Sequence, residues 1–247
     1  MKRLAVVAAL LLIARVSHAV PLLQIDLSDG TYVGGTEQST ITTKQTFTVF
    51  ALLTPGEDAD AQEIAAFLEQ EFKLSIAIMP KTGPADADLG SFTIDGPGVT
   101  DNEISATDEM VYGTPPLEEM LQTFDPGDLG KHGVFETFFY EVSFKFDENV
   151  QILPYDVAND GGTDPSGHPG TGTFVVAFEI DVSNLVLGTS LHFDLYSTTT
   201  KANGDVDRVD FAPFSHDAAV LPEPATLALT AFGSLLVGVG ALRRRKK

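Results

Sequence analysis

The sequence of 247 residues has no cysteine and no tryptophan. Without cysteine there is no disulfide framework, no thiol nucleophile and no thiolate zinc site. Without tryptophan, a sugar platform would lose its largest aromatic face. No Asn-x-Ser/Thr sequon occurs, so nothing marks a glycosylated chain. Cations are scarce between the two ends. Seven of the 15 basic residues lie in Val20–Leu221, against 34 of the 35 acidic ones, a net charge of −27. Such a surface repels nucleic acid and anionic lipid headgroups, and it favours cations and solubility. Nucleic-acid binding is excluded on that ground. The chain also lacks a Gly-x-Ser-x-Gly elbow, a phosphate-cradling glycine loop and an HExxH pair.

The missing cations sit at the ends. Lys2 and Arg3 precede the apolar run Leu4–Ala14, which Arg15 closes, and Ser17-His18-Ala19 supplies small residues for a cut between Ala19 and Val20. This reads as a secretory signal peptide over residues 1–19, too short to be a comfortable membrane span. At the other end, Ala225–Leu242 is an uncharged run, about 27 Å long as a helix, which suits a hydrocarbon core. Arg243, Arg244, Arg245, Lys246 and Lys247 follow it as a cytoplasmic stop. Pro222 and Pro224 cannot continue a helix, so Pro222-Glu223-Pro224 is expected to be extended at the membrane edge, where a membrane protease needs its substrate unwound.

Between the ends, period-two alternation dominates. Tyr140, Val142, Phe144 and Phe146 share a face; so do Phe174, Val176, Phe178, Ile180 and Val182; so do Leu191, Phe193 and Leu195, with His192, Asp194 and Tyr196 opposite. These are half-buried strands with one wet face. Further strands are expected at Leu22–Asp26, Gln45–Leu53, Lys73–Met79, Ser91–Ile94 and Asp207–Phe211, with Gln45–Leu53 central because it is apolar on both parities. Two short helices interrupt. Asp60 and Glu63 form a capping box ahead of Ile64, Phe67, Leu68 and Phe72. Thr114-Pro115 reads as N-cap and N1 ahead of Leu117, Met120, Leu121 and Phe124. The expected fold is all-β, an antiparallel β-sandwich of about eight strands over residues 20–218, followed by a tail over 219–247.

Taken in order, Pro222-Glu223-Pro224, the apolar span and the basic end resemble the PEP-CTERM sorting signal of Gram-negative envelope proteins. The resemblance implies an exosortase as partner, after signal peptidase and the secretion machinery, and delivery to the cell surface or an exopolysaccharide matrix. The stretches His132–Phe146, Leu191–Ala218 and Leu22–Leu53 resemble the choice-of-anchor N family, which brings no known activity. The function expected from these resemblances is a non-catalytic surface or matrix module, with no cofactor.

Other readings rest on particular residues. Asp156, Asn159, Asp160 and Asp164, in the loop Asn159–Gly172 and just before it, offer the oxygen ligands calcium prefers, without the register of an EF-hand. A solvated acidic loop is the plainer account. His192 with Asp194, and His216 with Asp217, are a possible His/carboxylate metal set, or simply polar residues of a strand face and a strand end. Glu118-Glu119 is a carboxylate pair of the kind an acidic chain contains by chance. Tyr140 is expected in the core, and Tyr112, Tyr155 and Tyr196 at the surface. The alternatives to the module are a hydrolase of the polysaccharide matrix and a calcium-dependent adhesin. Clustered buried carboxylates, or a His/Asp constellation in a concave pocket, would mark the hydrolase.

Overall fold

The computed structural model describes residues 22–34, 39–83, 88–106, 108–117, 133–200, 206–212 and 218–220. Among them the chain is all-β. Eight strands stand where alternation predicts them: β1 (Leu22–Leu27), β4 (Thr46–Thr54), β5 (Phe72–Met79), β6 (Ser91–Asp95), β9 (Thr137–Phe144), β11 (Thr173–Asp181), β12 (Ser190–Thr200) and β13 (Val206–Phe211). Six more are new: β2 (Thr31–Val33), β3 (Ser39–Thr42), β7 (Glu103–Ser105), β8 (Val111–Gly113), β10 (Gln151–Ile152) and β14 (Ala218–Val220). Each has two to four residues, too few for alternation to show.

The strands form two sheets. The first has the order β1-β4-β11-β6-β7, with β10 also beside β11. The second runs β2-β3-β14-β12-β5-β9-β8, with β13 beside β12. All pairings are antiparallel except β14 with β3, a departure from the purely antiparallel expectation. Strand β4 is central, as its two-sided apolarity predicts. Leu23, Leu53 and Phe174 lie in one cross-strand row, Ile25, Ala51 and Val176 in the next, and Leu27, Val49 and Phe178 in a third. These rows meet Phe72, Leu74, Ile76, Val142, Phe144, Leu191, Phe193 and Leu195 of the second sheet in one core. Aromatic edges lock the two sheets together. Phe144 meets Phe178 with ring centroids 5.3 Å apart, and Phe47 meets Phe193 at 6.0 Å, both T-shaped.

The first expected helix is present as α1 (Ala61–Glu69). Asp60 Oδ1 accepts from the Gln62 and Glu63 N–H groups at 2.8 and 2.9 Å, and Glu63 Oε2 accepts from the Asp60 N–H at 3.0 Å. Ile64, Phe67 and Leu68 pack on the core's rim while Phe72, expected on the same helical face, opens β5. The second expected helix does not start at Thr114-Pro115, because residues 115–117 are not helical. Pro116 drives Pro115 out of the helical region, and the Leu117 N–H is taken by Glu141. Met120, Leu121 and Phe124 lie outside the described residues.

Both sheets are also covered on their outer sides, which corrects the expectation of a wet face on β12. Ala77, Val134, Phe135, Phe139 and Tyr196 form an apolar cluster outside the second sheet, joined by Leu117 and Met79. Phe50, Leu52, Ile152, Tyr155 and Val157 form another outside the first. Alternation sorts side chains between two faces; it does not say whether chain far away in sequence lies over either. The outer residues Ala177 and Glu179 of β11 are exposed, as expected. No described helix is long and apolar enough to cross a membrane, and residues 225–242 lie outside the described ones.

Candidate functional site

The outer face of the second sheet carries a polar lattice set by register. His192, Ala77 and Phe139 share one row across β12, β5 and β9; Asp194, Ser75 and Glu141 share the next; Tyr196, Lys73 and Ser143 the third. Asp194 and Glu141 therefore stand two strand spacings apart, about 10 Å between their Cα atoms. Their side chains are 0% and 4% exposed. The Tyr196 hydroxyl donates to Glu141 Oε1, and the Leu117 N–H donates to Glu141 Oε2 at 2.9 Å. Lys73 Nζ stands 3.9 Å from Glu141 Oε2 and donates to Ser143 Oγ at 3.1 Å. His192 Nε2 lies 3.2 Å from Asp194 Oδ2, so that pair is brought together.

Burial pushes the Tyr196 hydroxyl well above its ordinary range, and the Glu141 and Asp194 charges push the same way. It stays protonated and serves as a donor, not a base. Both oxygens of Glu141 are thus occupied, one by the β12 tyrosine and one by the covering chain. The lattice ties Leu117 and the segment around it to the sheet.

Outside the first sheet a second constellation holds the loop between β10 and β11. Gln24 and Asp26 point outward from β1. Gln24 Nε2 donates to the Tyr155 carbonyl at 3.3 Å, and Gln24 Oε1 accepts the Val157 N–H at 2.9 Å. Asp26, fully buried, accepts from the Tyr155 hydroxyl at 2.6 Å, from the Leu27 N–H at 2.8 Å, and from the Gly162 N–H at 3.0 Å to each oxygen. Desolvation raises the Asp26 carboxyl above its usual value, outweighing these hydrogen bonds. Burial, then the hydrogen bond to Asp26, raises Tyr155 too. Gly162 is needed at its position. Its φ is +81°, and a Cβ there would stand 2.0 Å from the Gly30 carbonyl oxygen.

The expected calcium ligands lie on this clasped loop, which contains α2 (Val157–Asp160) and a 3-10 turn (Pro165–Gly167). Three are committed to local backbone. Asp156 Oδ1 caps α2 at the Ala158 N–H at 3.0 Å, Asp160 Oδ2 accepts the Asp156 N–H at 3.2 Å, and Asp164 Oδ1 accepts the Ser166 N–H at 2.9 Å. Asn159 donates to Asp156 Oδ2. Among the described residues, no three His, Asp or Glu side chains stand close enough to hold a metal ion. Tyr155 and Tyr196, expected at the surface, are buried under distant chain, and Tyr140, expected in the core, is half-buried. Tyr112 meets Phe138 edge-on at 5.4 Å. Ala19, Val20, Glu118, Glu119, His216, Asp217, Pro222, Glu223, Pro224 and Arg243–Lys247 lie outside the described residues.

A third feature is an open groove of about 400 Å³ at one end of the first sheet. Ala61, Ile64, Ala65 and Leu68 of α1 form one wall; Phe174, the turn residues Glu148 and Asn149, and Gln151 of β10 form the other. Ile64 and Leu68, half-buried against the core, also border this opening. Sequence reasoning missed Asp26, Glu141, Lys73 and the groove. Their partners lie up to 136 residues away, and no local signal announces them. No protein-family model, curated protein or solved structure matches the chain.

Proposed function

We propose that the chain is an exported envelope protein of a Gram-negative bacterium, sorted by an exosortase through a PEP-CTERM tail. Its β domain is a non-catalytic module of the cell surface or exopolysaccharide matrix. The observation that carries this reading is the order of the last residues: Pro222-Glu223-Pro224, the uncharged run Ala225–Leu242, then Arg243–Lys247. Signal peptidase would cut between Ala19 and Val20, and the C-terminal helix would hold the precursor in the inner membrane until processing. The net charge of −27 over Val20–Leu221 suits a soluble domain in a hydrated matrix and a loose shell of cations. A matrix hydrolase draws less support. The buried carboxylates of the second sheet lie beneath covering chain, and Glu141 gives both its oxygens to hydrogen bonds within the fold.

Replacing Pro222, Glu223 and Pro224 with alanine tests the sorting step. The expected outcome is full-length precursor retained in the inner membrane, against shortened protein at the surface for the parent chain. Both are read by fractionation and intact mass. Equal processing and delivery of the two chains would sink the sorting reading.

A further inference from the structure

The last described strand and the most exposed apolar side chain lie at the same end of the molecule. In β14, Val220 is level with Thr42, the last residue of β3, and Ala219 is opposite His192 of β12. The chain therefore leaves β14 at the end of the sheet where β12 begins, at Ser190. The β11–β12 connection emerges there too. Its tip is Val186–Leu187, 49% and 87% exposed. Backbone bonds hold the tip on both sides: Val186 N–H to the Leu89 carbonyl at 2.9 Å, and Thr189 N–H to the Val186 carbonyl at 2.9 Å. Two exposed cations share this end. Lys44 precedes β4, whose Thr46 pairs with Asp181, the last residue of β11, and Lys81 follows β5, whose Met79 pairs with Ser190.

Only residues 221–224 separate Val220 from the uncharged run that begins at Ala225. Fully extended, that stretch covers at most about 17 Å. The end of the second sheet can stand no farther than this from the hydrocarbon that the run would span. The chain from Ser190 to Leu187 carries the tip up to about 10 Å beyond the sheet. A headgroup layer fills about 6 Å more. These lengths match. We infer that Val186 and Leu187 insert into the headgroup layer of the membrane beside the tail, so that this end of the domain rests on the bilayer in the precursor. The inference rests on the proposed membrane span of the tail.

The chemistry of this end suits lipid. Residues 182–190, which carry the tip, contain no charged side chain in a domain of net charge −27. Lys44 and Lys81 can reach lipid phosphates while their methylene stems lie along the interface. The carboxylates nearest the tip in the chain are tied down. Asp181 accepts from the Ser183 N–H at 2.8 Å and from the Thr46 hydroxyl at 3.3 Å, and Asp88 accepts from the Gly90 N–H at 2.8 Å. Asp29, before β2, and Glu136, before β9, stand two strands away on either side. Two apolar side chains are too few to hold a membrane alone, but the tail keeps them at a high local concentration beside one. A tip fixed by backbone bonds also loses little freedom on insertion. The contact gives the precursor one orientation, with Pro222–Pro224 held at the bilayer edge, and it is released when the tail is cut.

The absence of tryptophan makes the test clean, because Leu187→Trp puts a single indole in the full chain. The variant is reconstituted in phosphatidylcholine vesicles with and without lipid brominated high on its acyl chains, and its flotation and emission are read. The expected result is flotation with the vesicles and about twofold quenching by the brominated lipid. Val150→Trp is the control. Val150 is 46% exposed just before β10, which pairs with the opposite end of β11, and its indole is expected to keep its emission. Adding Val186→Asp to Leu187→Trp is expected to remove roughly half of the quenching, since it places a carboxylate at the lipid interface. A chain that fails to float would break the tail reading and the inference with it. A chain that floats with both indoles quenched equally, or with neither quenched, would overturn the inference and leave the tail reading standing. Quenching that appears only once an exosortase is reconstituted in the same vesicles would assign the tip to that protein and overturn the inference as well.

Discussion

The covers on the two sheets have similar apolar clusters but different polar anchors. Outside the first sheet, the loop between β10 and β11 hangs on Asp26, whose donors are all neutral: the Leu27 and Gly162 N–H groups and the Tyr155 hydroxyl. Outside the second, the covering segment hangs on Glu141, which has the Lys73 ammonium 3.9 Å away as well as two hydrogen-bond donors. Neutral donors satisfy the hydrogen-bonding capacity of a carboxylate without cancelling its charge, so burial wins at Asp26 and the proton is held more tightly. The first cover is also fixed by backbone geometry at Gly162, where the second relies on side chains. One is a shape-limited clasp, the other a charge-assisted tie.

The comparison can be broken at the clasp with the largest effect. Gly162→Ala places a Cβ 2.0 Å from the Gly30 carbonyl oxygen at φ +81°, so the loop must leave Asp26 or distort. A loss of about 3 kcal/mol is expected in urea unfolding followed by circular dichroism. A variant within 0.5 kcal/mol of the parent, roughly the scatter of neutral surface changes, would show that the loop does not depend on this approach. The tie is next. Glu141→Ala leaves the Tyr196 hydroxyl and the Leu117 N–H without their acceptor, at a cost of about 2 kcal/mol. Glu141→Gln keeps one acceptor oxygen and should recover about half of that. Equal losses for the two variants would mean that the charge, rather than the acceptor, secures this cover.

The smallest effect separates the two anchors by pH. Because the folded-state pKa of Asp26 is raised above the ordinary aspartate value, the folded chain binds that proton more readily than the unfolded chain. The stabilisation linked to it is complete below the unfolded pKa and is lost as pH rises through the folded one. Asp26→Asn removes this component. The parent chain should therefore gain stability relative to the variant as pH falls through the mildly acidic range, as measured by paired urea titrations. A difference that stays constant with pH would remove burial as the ruling influence on this carboxylate.

Much of the core was legible because it is local. The parities of Phe174–Ile180 and Leu191–Leu195 assign the buried faces directly, and Asp60 with Glu63 marks the start of α1. The outer faces were illegible for the opposite reason. His192, Asp194 and Tyr196 alternate with apolar residues as solvated residues do, and nothing near them in the chain reveals that Val134, Phe135 and Leu117 pack over their side of the sheet. Asp26 looks like any polar residue of a half-wet strand, and its partners Tyr155 and Gly162 lie 129 and 136 residues on. The groove was hidden because an amphipathic stripe is the same in sequence whether it is fully covered or only half covered.

Strand β14 carries a consequence for the order of events. It lies between β3 and β12, paired with Thr40–Thr42 on one side and with His192–Phe193 on the other. Until Ala218–Val220 arrive, β2 and β3 have no hydrogen-bonded link to the rest of their sheet. A chain delivered N-terminus first must therefore wait for nearly its last described residues before that sheet is continuous, with a sequence separation near 180 residues to bridge. The early part of the molecule stays an open edge during that interval, and the final short strand acts as the keystone that closes it.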